Sequence, residues 1–208
     1  MDGKELVSGA AYDVYMDIKK RTNGEIYFGV VGPVRTGKST FIKRFMELCV
    51  LPSMKDDNKR KRAQDELPQS SGGTTVMTVE PKFIPSEAAL ISPFEEINMK
   101  VRLVDCVGFM VEGANGHLDN GKERMVKTPW DTKEIAFSKA AEIGTKKVIN
   151  DHSTIGIVIT SDGSFGDIER KSYEEAENKA IDELKAIGKP FIVLLNSSKP
   201  YSIETAKL

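Results

Sequence analysis

Residues 32–39 read Gly32-Pro33-Val34-Arg35-Thr36-Gly37-Lys38-Ser39, followed by Thr40, and the apolar run from Ile26 to Val31 leads straight into them. This is a complete G-x-x-x-x-G-K-[ST] phosphate loop, in which each fixed position has a physical task around a polyphosphate. Gly32 and Gly37 let the backbone turn tightly, so that successive N–H groups of residues 32–40 point at phosphate oxygens. Lys38 brings a point charge to the terminal phosphates. Ser39 offers a hydroxyl to a magnesium ion, and the helix it opens adds the positive end of its dipole. A strand before the loop and a helix after it are the context that the motif requires, so the chain is expected to bind a nucleotide.

Working outward, strands alternate with helices. Strand Ile26–Val31 is followed by a helix from Ser39 to about Leu51, with Phe41, Ile42, Phe45, Leu48 and Cys49 as its buried stripe and Pro52 as its stop. The polar stretch from Met54 to Gly73, with basic residues at 59–62, reads as a solvated loop. Strands are expected over Thr74–Ile84 and Asn98–Asp105, a long irregular loop over Val107–Asp131, and a helix over Glu134–Asn150. Ile155–Thr160 is a β-branched buried strand. Ser172 and Glu175 form a capping box for a helix whose apolar face is Tyr173, Ala176, Ala180, Leu184 and Ile187. Gly188 and Pro190 end it, and Phe191–Leu195 is a last buried strand. This alternation predicts an α/β fold, a three-layer P-loop NTPase with a mostly parallel sheet and its ligand at the strand carboxyl ends. Val7, Ala11, Val14 and Ile18 repeat at helical spacing, so residues 1–24 are expected to form an amphipathic extension and residues 25–208 the NTPase domain.

Composition limits the partners. Thirty basic residues against thirty-one acidic leave a net charge of −1, which gives no electrostatic case for nucleic acid or anionic lipid. No stretch approaches the roughly eighteen apolar residues of a membrane span. The two cysteines, Cys49 and Cys106, do not suggest a disulfide framework and fit a reducing compartment.

The remaining parts of a nucleotide site follow from chemistry. A carboxylate at the end of a neighbouring apolar strand should hold the magnesium, and Asp105 in Val101–Gly108 is so placed. Gly108, three residues on, can bring a backbone N–H to the γ-phosphate. A threonine should close over metal and phosphate; Thr78 is the first choice, Thr75 the second, and Thr74 is also near. Base recognition is expected after Phe191–Leu195, where guanine-specific proteins use N-K-x-D. Here Asn196 is followed by Ser197, Ser198 and Lys199, and Lys199 has only donors to face the donors of guanine. ATP is therefore preferred to GTP, with Asn196 supporting the loop backbone or simply ending the strand. Phe109 and Met110 stand where a water-orienting Gln or His would be sought. Arg35 could offset charge on the transferred phosphate, as an arginine finger does. Asp162 and Asp167 could order water or a partner subunit, or serve only as turn residues, and His117 and His152 have no metal-ligand spacing.

Further stretches carry a resemblance. The phosphate loop with its flanks, Arg62–Ser70, Met77–Phe83, Arg102–Gly108, Thr128–Trp130, Glu142–Thr145 and His152–Thr160 together resemble the stage IV sporulation protein A family of spore-coat morphogenetic ATPases. The resemblance implies a fold of the translation-factor-type GTPases and ATP hydrolysis with Mg²⁺ through Lys38, Ser39, Asp105 and Thr78. It also implies self-assembly into the base layer of the coat, on the mother-cell cytoplasmic side of the forespore outer membrane. Membrane association would come through stage V sporulation protein M, with other coat morphogenetic proteins joining. Members of that family are several hundred residues long, so the chain is expected to be truncated at its C-terminal end. The alternatives are a regulatory GTPase with an altered base loop and a nucleotide-binding scaffold without turnover.

Overall fold

The computed structural model describes residues 24–68, 79–94, 97–119 and 121–208. The expected helix within residues 1–24 lies, except for Gly24, outside the described residues, as do Thr74, Thr75 and Thr78.

Strand β1 (Glu25–Val31) lies at the centre of a five-stranded sheet of order β2-β3-β1-β8-β9. It runs parallel to β3 (Ile97–Asp105) and β8 (Ile155–Ser161), and β8 runs parallel to β9 (Phe191–Asn196). Only β2 (Lys82–Phe94), at the edge beside β3, is antiparallel in this sheet. Alternation of apolar side chains gives each central strand two buried faces. Ile26, Val30, Val101, Leu103, Ile157 and Ile159 meet helix α1 (Lys38–Phe45) on one side. Val31, Val104 and Val158 meet α3 (Phe137–Lys147, continued to His152) and α4 (Arg170–Ala186) on the other. The result is the expected α/β arrangement of three layers, with a mixed, mostly parallel sheet consistent with a P-loop NTPase-like domain.

Several local expectations are corrected. The helix after the loop is α-helical only to Phe45, then winds as a π-helix over Met46–Val50 and a 3₁₀ turn over Leu51–Ser53. The wider turn rotates the buried positions to Ile42, Met46 and Val50, four residues apart, leaving Leu48 72% exposed and Cys49 at the surface. Within the expected loop at 54–73 lies helix α2 (Asp57–Asp65). It is started by Asp56, whose carboxylate accepts from the N–H groups of Asn58 (2.9 Å) and Lys59 (3.1 Å). Its basic residues Lys59 and Arg62 pair with Glu87 at 3.5 and 3.6 Å. Of the strand expected over Thr74–Ile84, residues 74–78 lie outside the described residues, 79–81 are not strand, and β2 runs from Lys82 to Phe94.

The expected irregular loop at 107–131 contains two small antiparallel ladders. Strand β4 (Leu118–Asp119) pairs with β5 (Lys122–Glu123), and β6 (Met125–Thr128) pairs with β7 (Asp131–Ala136), which delays the start of α3 to Phe137. Helix α4 begins at Arg170, two residues before the proposed Ser172 cap, with Glu169 in the capping position and no side-chain bond. Its inner face is Tyr173, Ala176, Ala180 and Leu184 as expected, whereas Ile187 is 46% exposed beyond its end. Strand β9 is not buried throughout: among the described residues it is paired on one side only, and Ile192 and Val193 are exposed. A short helix α5 (Ile203–Ala206) follows. No helix among the described residues is long and apolar enough to cross a membrane.

Candidate nucleotide site

The carboxyl ends of β1, β3, β8 and β9 bring the sequence-predicted residues together. The loop leaves β1 at Gly32 (φ 121°), where an added Cβ would stand 2.5 Å from the Ile159 carbonyl oxygen, so close packing against β8 demands glycine. Gly37 (φ 93°) occupies the N-cap of α1, and its carbonyl accepts from the Phe41 N–H at 2.8 Å, which starts the helix and leaves the amides of its first turn facing the loop. Thr36 is fully buried, its hydroxyl donating to the Pro33 carbonyl at 3.0 Å. Val34 is buried in the core, while Thr40 is exposed in the first turn of α1.

Lys38 lies folded into the loop, 5% exposed, its ammonium donating to the Pro33 carbonyl at 2.5 Å. Burial holds its pKa below the ordinary lysine value, with the charges of Cys106 and Asp105 acting in the opposite sense. A polyphosphate beside it would add to the counter-charge of Asp105 and favour the charged ammonium. Ser39 Oγ donates to Asp105 Oδ2 at 2.8 Å. Asp105 Oδ1 is buried without a hydrogen-bond partner, and burial raises the carboxyl pKa against the opposing Ser39 bond and Lys38 charge. A hydroxyl and a carboxylate with one oriented, unsatisfied oxygen suit Mg²⁺, a hard cation that takes few protein ligands and completes its shell with phosphate and water. No cluster of three or more His, Cys, Asp or Glu that could hold a metal occurs among the described residues.

Asn196 at the end of β9 reaches the loop: its Nδ2 donates to the Thr36 carbonyl at 3.0 Å and would stand 2.7 Å from a Cβ added at Gly37. Lys199 is exposed, its N–H bonded to Ser197 Oγ at 2.9 Å. Asp162 ties the loop after β8 to itself by accepting from the Ser164 N–H at 2.9 Å, while Ser164 Oγ accepts from the Ser198 N–H at 2.7 Å. Asp162 thus makes a turn bond and also faces Thr205 Oγ1 at 3.5 Å, and Asp167 is exposed. His152 meets the Phe83 ring edge-on at 5.5 Å. Arg35 is exposed at the loop apex with φ 61°, the one non-glycine residue with positive φ among those described. Its charge acts on Tyr173 of α4. The Asp105 carboxylate is bonded by Ser39 and not by Arg35.

Two further features were not legible in the motifs. The segment after Asp105 is stitched to the loop by backbone bonds, Phe109 N–H to Gly32 O at 3.0 Å and Val34 N–H to Phe109 O at 2.9 Å. Gly108 N–H donates to Thr145 Oγ1 of α3 at 3.2 Å. Thr145 belongs to a run, Glu142–Thr145, that carried the resemblance, but nothing in its spacing pointed to this role. Cys106 is buried beside these groups, and burial pushes its thiol up to about 11, so it is no nucleophile.

Comparison with known proteins agrees with this geometry. Residues 10–208 match the family described as "Stage IV sporulation protein A, ATPase domain". Stage IV sporulation protein A of Clostridioides difficile (strain 630) is 57% identical over 196 residues, 94% of this chain and 40% of that protein. The protein of the same name from Bacillus subtilis (strain 168) is 57% identical over 193 residues, 93% and 39% of the two chains. That from Bacillus anthracis is 56% identical over 196 residues, 94% and 40%. The chain thus spans about two fifths of the length of the curated relatives it matches.

Proposed function

The chain belongs to the stage IV sporulation protein A ATPase-domain family, and from that premise we propose that it binds ATP with Mg²⁺ at the loop of residues 32–40 and hydrolyses it to ADP and phosphate. The observation that carries this reading is the pair formed by Ser39 Oγ and Asp105 Oδ2 at 2.8 Å, beside the buried Lys38. Lys38 would neutralise and hold the terminal phosphates, the loop amides and the α1 N-terminus would fix the chain of oxygens, and Ser39 with Asp105 would hold Mg²⁺. The bound ion would supply positive charge against the charge that develops on the phosphate oxygens. Gly108 would offer its N–H to the γ-phosphate, and Thr78 would close over it from the segment before Val79. Asn196 would keep the loop in its binding shape. Arg35 would add positive charge at the loop apex. The antiparallel β2 beside β3, with β1 central, supports a translation-factor-type arrangement of the NTPase.

The exposed Lys199 at the base-reading position favours adenine over guanine, because a donor there cannot take the two donors of guanine that an aspartate accepts. Replacing Lys38 with Ala is expected to abolish phosphate release; unchanged turnover would remove the assignment. Competition against labelled ATP should favour unlabelled ATP over GTP, and preferential displacement by GTP would restore the regulatory-GTPase reading. Family membership further supports a role for turnover in self-assembly of the coat base layer at the mother-cell face of the forespore outer membrane. Recruitment there would depend on stage V sporulation protein M and other coat morphogenetic proteins.

One observation favours a second reading, a scaffold that binds ATP without turnover. Next to Gly108 stands Phe109, 3% exposed, with a buried ring that cannot order an attacking water. Polymer assembly by the longer protein with no release of phosphate would establish it.

A further inference from the structure

We infer that Thr145 is a positioning residue for γ-phosphate recognition: its hydroxyl holds the Gly108 amide until the γ-phosphate takes it. The inference rests on the ATP·Mg²⁺ reading of the site and adds to it the side chain that competes with the ligand.

Gly108 sits where such competition must occur. It has φ 100°, and an added Cβ would lie 2.4 Å from the Gly32 carbonyl oxygen and 2.6 Å from Lys38 Nζ. Its position is pinned by its neighbour, since the two backbone bonds of Phe109 to Gly32 and Val34 clamp the segment against the phosphate loop. The amide nonetheless points to helix α3, to a Thr145 hydroxyl that is fully buried and donates onward to the Ala141 carbonyl at 2.8 Å. At 3.2 Å the Gly108 bond is long for an N–H···O bond between neutral groups. A phosphate oxygen accepts from an amide at shorter range and about twice as strongly. The exchange therefore runs toward phosphate when the γ-group is present and back to Thr145 when it leaves.

The same face of α3 touches the other segment flanking the γ-phosphate. A Cβ at Gly144 would stand 2.6 Å from the Val79 carbonyl oxygen, so the residue that follows Thr78 leans on the glycine next to Thr145. Val79 also packs with Phe137, Ala140 and Ala141. Release of the Gly108 amide changes the bonding of a helix that already supports the segment leading from Thr78. That links the arrival of a γ-phosphate to α3 without any contact between α3 and nucleotide.

The test uses the Thr145→Val variant of the chain with Mg²⁺, and compares ADP with a non-hydrolysable ATP analogue by fluorescence titration. Valine keeps the shape and removes the Thr145 acceptor, so in the free and ADP-bound states Gly108 N–H keeps only the weak Cys106 sulfur beside it, whereas a γ-phosphate would satisfy it fully. Affinity for the analogue should rise about tenfold while that for ADP stays unchanged. Thr145→Ser should return both to wild-type values. A purely structural role would weaken both ligands together, and that result, or no change in either, overturns the inference. Should the valine variant not fold, the Gly108 amide resonance of the wild-type chain decides. It should move with the analogue and not with ADP; equal movement, or none, overturns the proposal. Wild-type chain that binds neither nucleotide would instead overturn the site itself.

Discussion

Asn196→Ala perturbs the phosphate loop through a side chain that holds the loop backbone at Thr36 and Gly37. The side chain gives one hydrogen bond, Nδ2 to the Thr36 carbonyl at 3.0 Å, and its amide packs against the open face of Gly37. Thr36 is fully buried, so its carbonyl loses its partner in a place with little room for solvent. An unpaired buried acceptor costs about 1–3 kcal/mol. Asn196 itself is exposed, so water entering the vacated volume supplies part of a replacement bond. The low end, about 1 kcal/mol, then applies, and it corresponds to roughly fivefold weaker nucleotide binding. Because the fault lies in the loop around Gly37 and not at the γ-phosphate, ATP and ADP should weaken alike. Asn196→Asp sets a carboxylate oxygen against the same carbonyl and should weaken both by more than the alanine. Equilibrium titration of each variant with fluorescent ATP and ADP, with Mg²⁺ present, checks this. Wild-type affinity in the alanine variant, or a loss confined to ATP, would refute the argument that β9 shapes the loop through this contact.

Other consequences can be checked separately. Ser39→Ala removes the hydroxyl that orients Asp105, so ATP affinity measured with Mg²⁺ should fall at least roughly tenfold, while affinity measured in chelator should match wild type. Glu177 accepts from Thr160 Oγ1 at 2.7 Å and is paired with Arg170. Burial pushes its carboxyl up, but these bonds outweigh that effect and hold it below the ordinary value of 4.5. Its contribution is therefore complete above that pH and disappears as pH falls through the lower folded value. Glu177→Gln should lower the melting temperature by several degrees near neutral pH, and the gap to wild type should close as the pH falls below the ordinary value of 4.5 and through the lower folded one. Asp56→Ala should speed amide exchange at Asn58 and Lys59 in α2, with no effect on nucleotide titrations.

The sequence made some parts readable and hid others for identifiable reasons. Lys38, Ser39 and Asp105 could be placed because strand, turn and helix each leave a local signal, and the parallel register of β1 with β3 sets Val30 opposite Asp105. The central strands could be placed because their apolar residues alternate between two covered faces. Helix α1 was misread in its second half because a 3.6-residue period was assumed where the chain winds as a π-helix, which exposes Leu48 and buries Met46. Helix α2 was hidden because its one buried residue, Ala63, makes no periodic stripe; the Asp56 cap was the readable signal. Strand β9 was taken as buried from composition, but burial depends on neighbours, and among the described residues its outer edge is paired with no other strand of the sheet.

The sensing side of the site was hidden for a different reason. The groups proposed to answer a γ-phosphate are backbone amides, and an amide has no identity in a sequence. Gly108 could be named because glycine marks a close approach, but the partner of its N–H lies 37 residues away on α3. Thr145 reads there as an ordinary buried helical threonine satisfied by the carbonyl four residues back. What distinguishes it is a second bond, and that bond exists only because Phe109 is clamped to Gly32 and Val34 while Ala140, Ala141 and Gly144 let neighbouring segments approach α3 closely. Small residues on one face of a helix beside a D-x-x-G strand end are thus the signal to seek: they mark where the backbone comes near enough for a helix hydroxyl to accept its N–H.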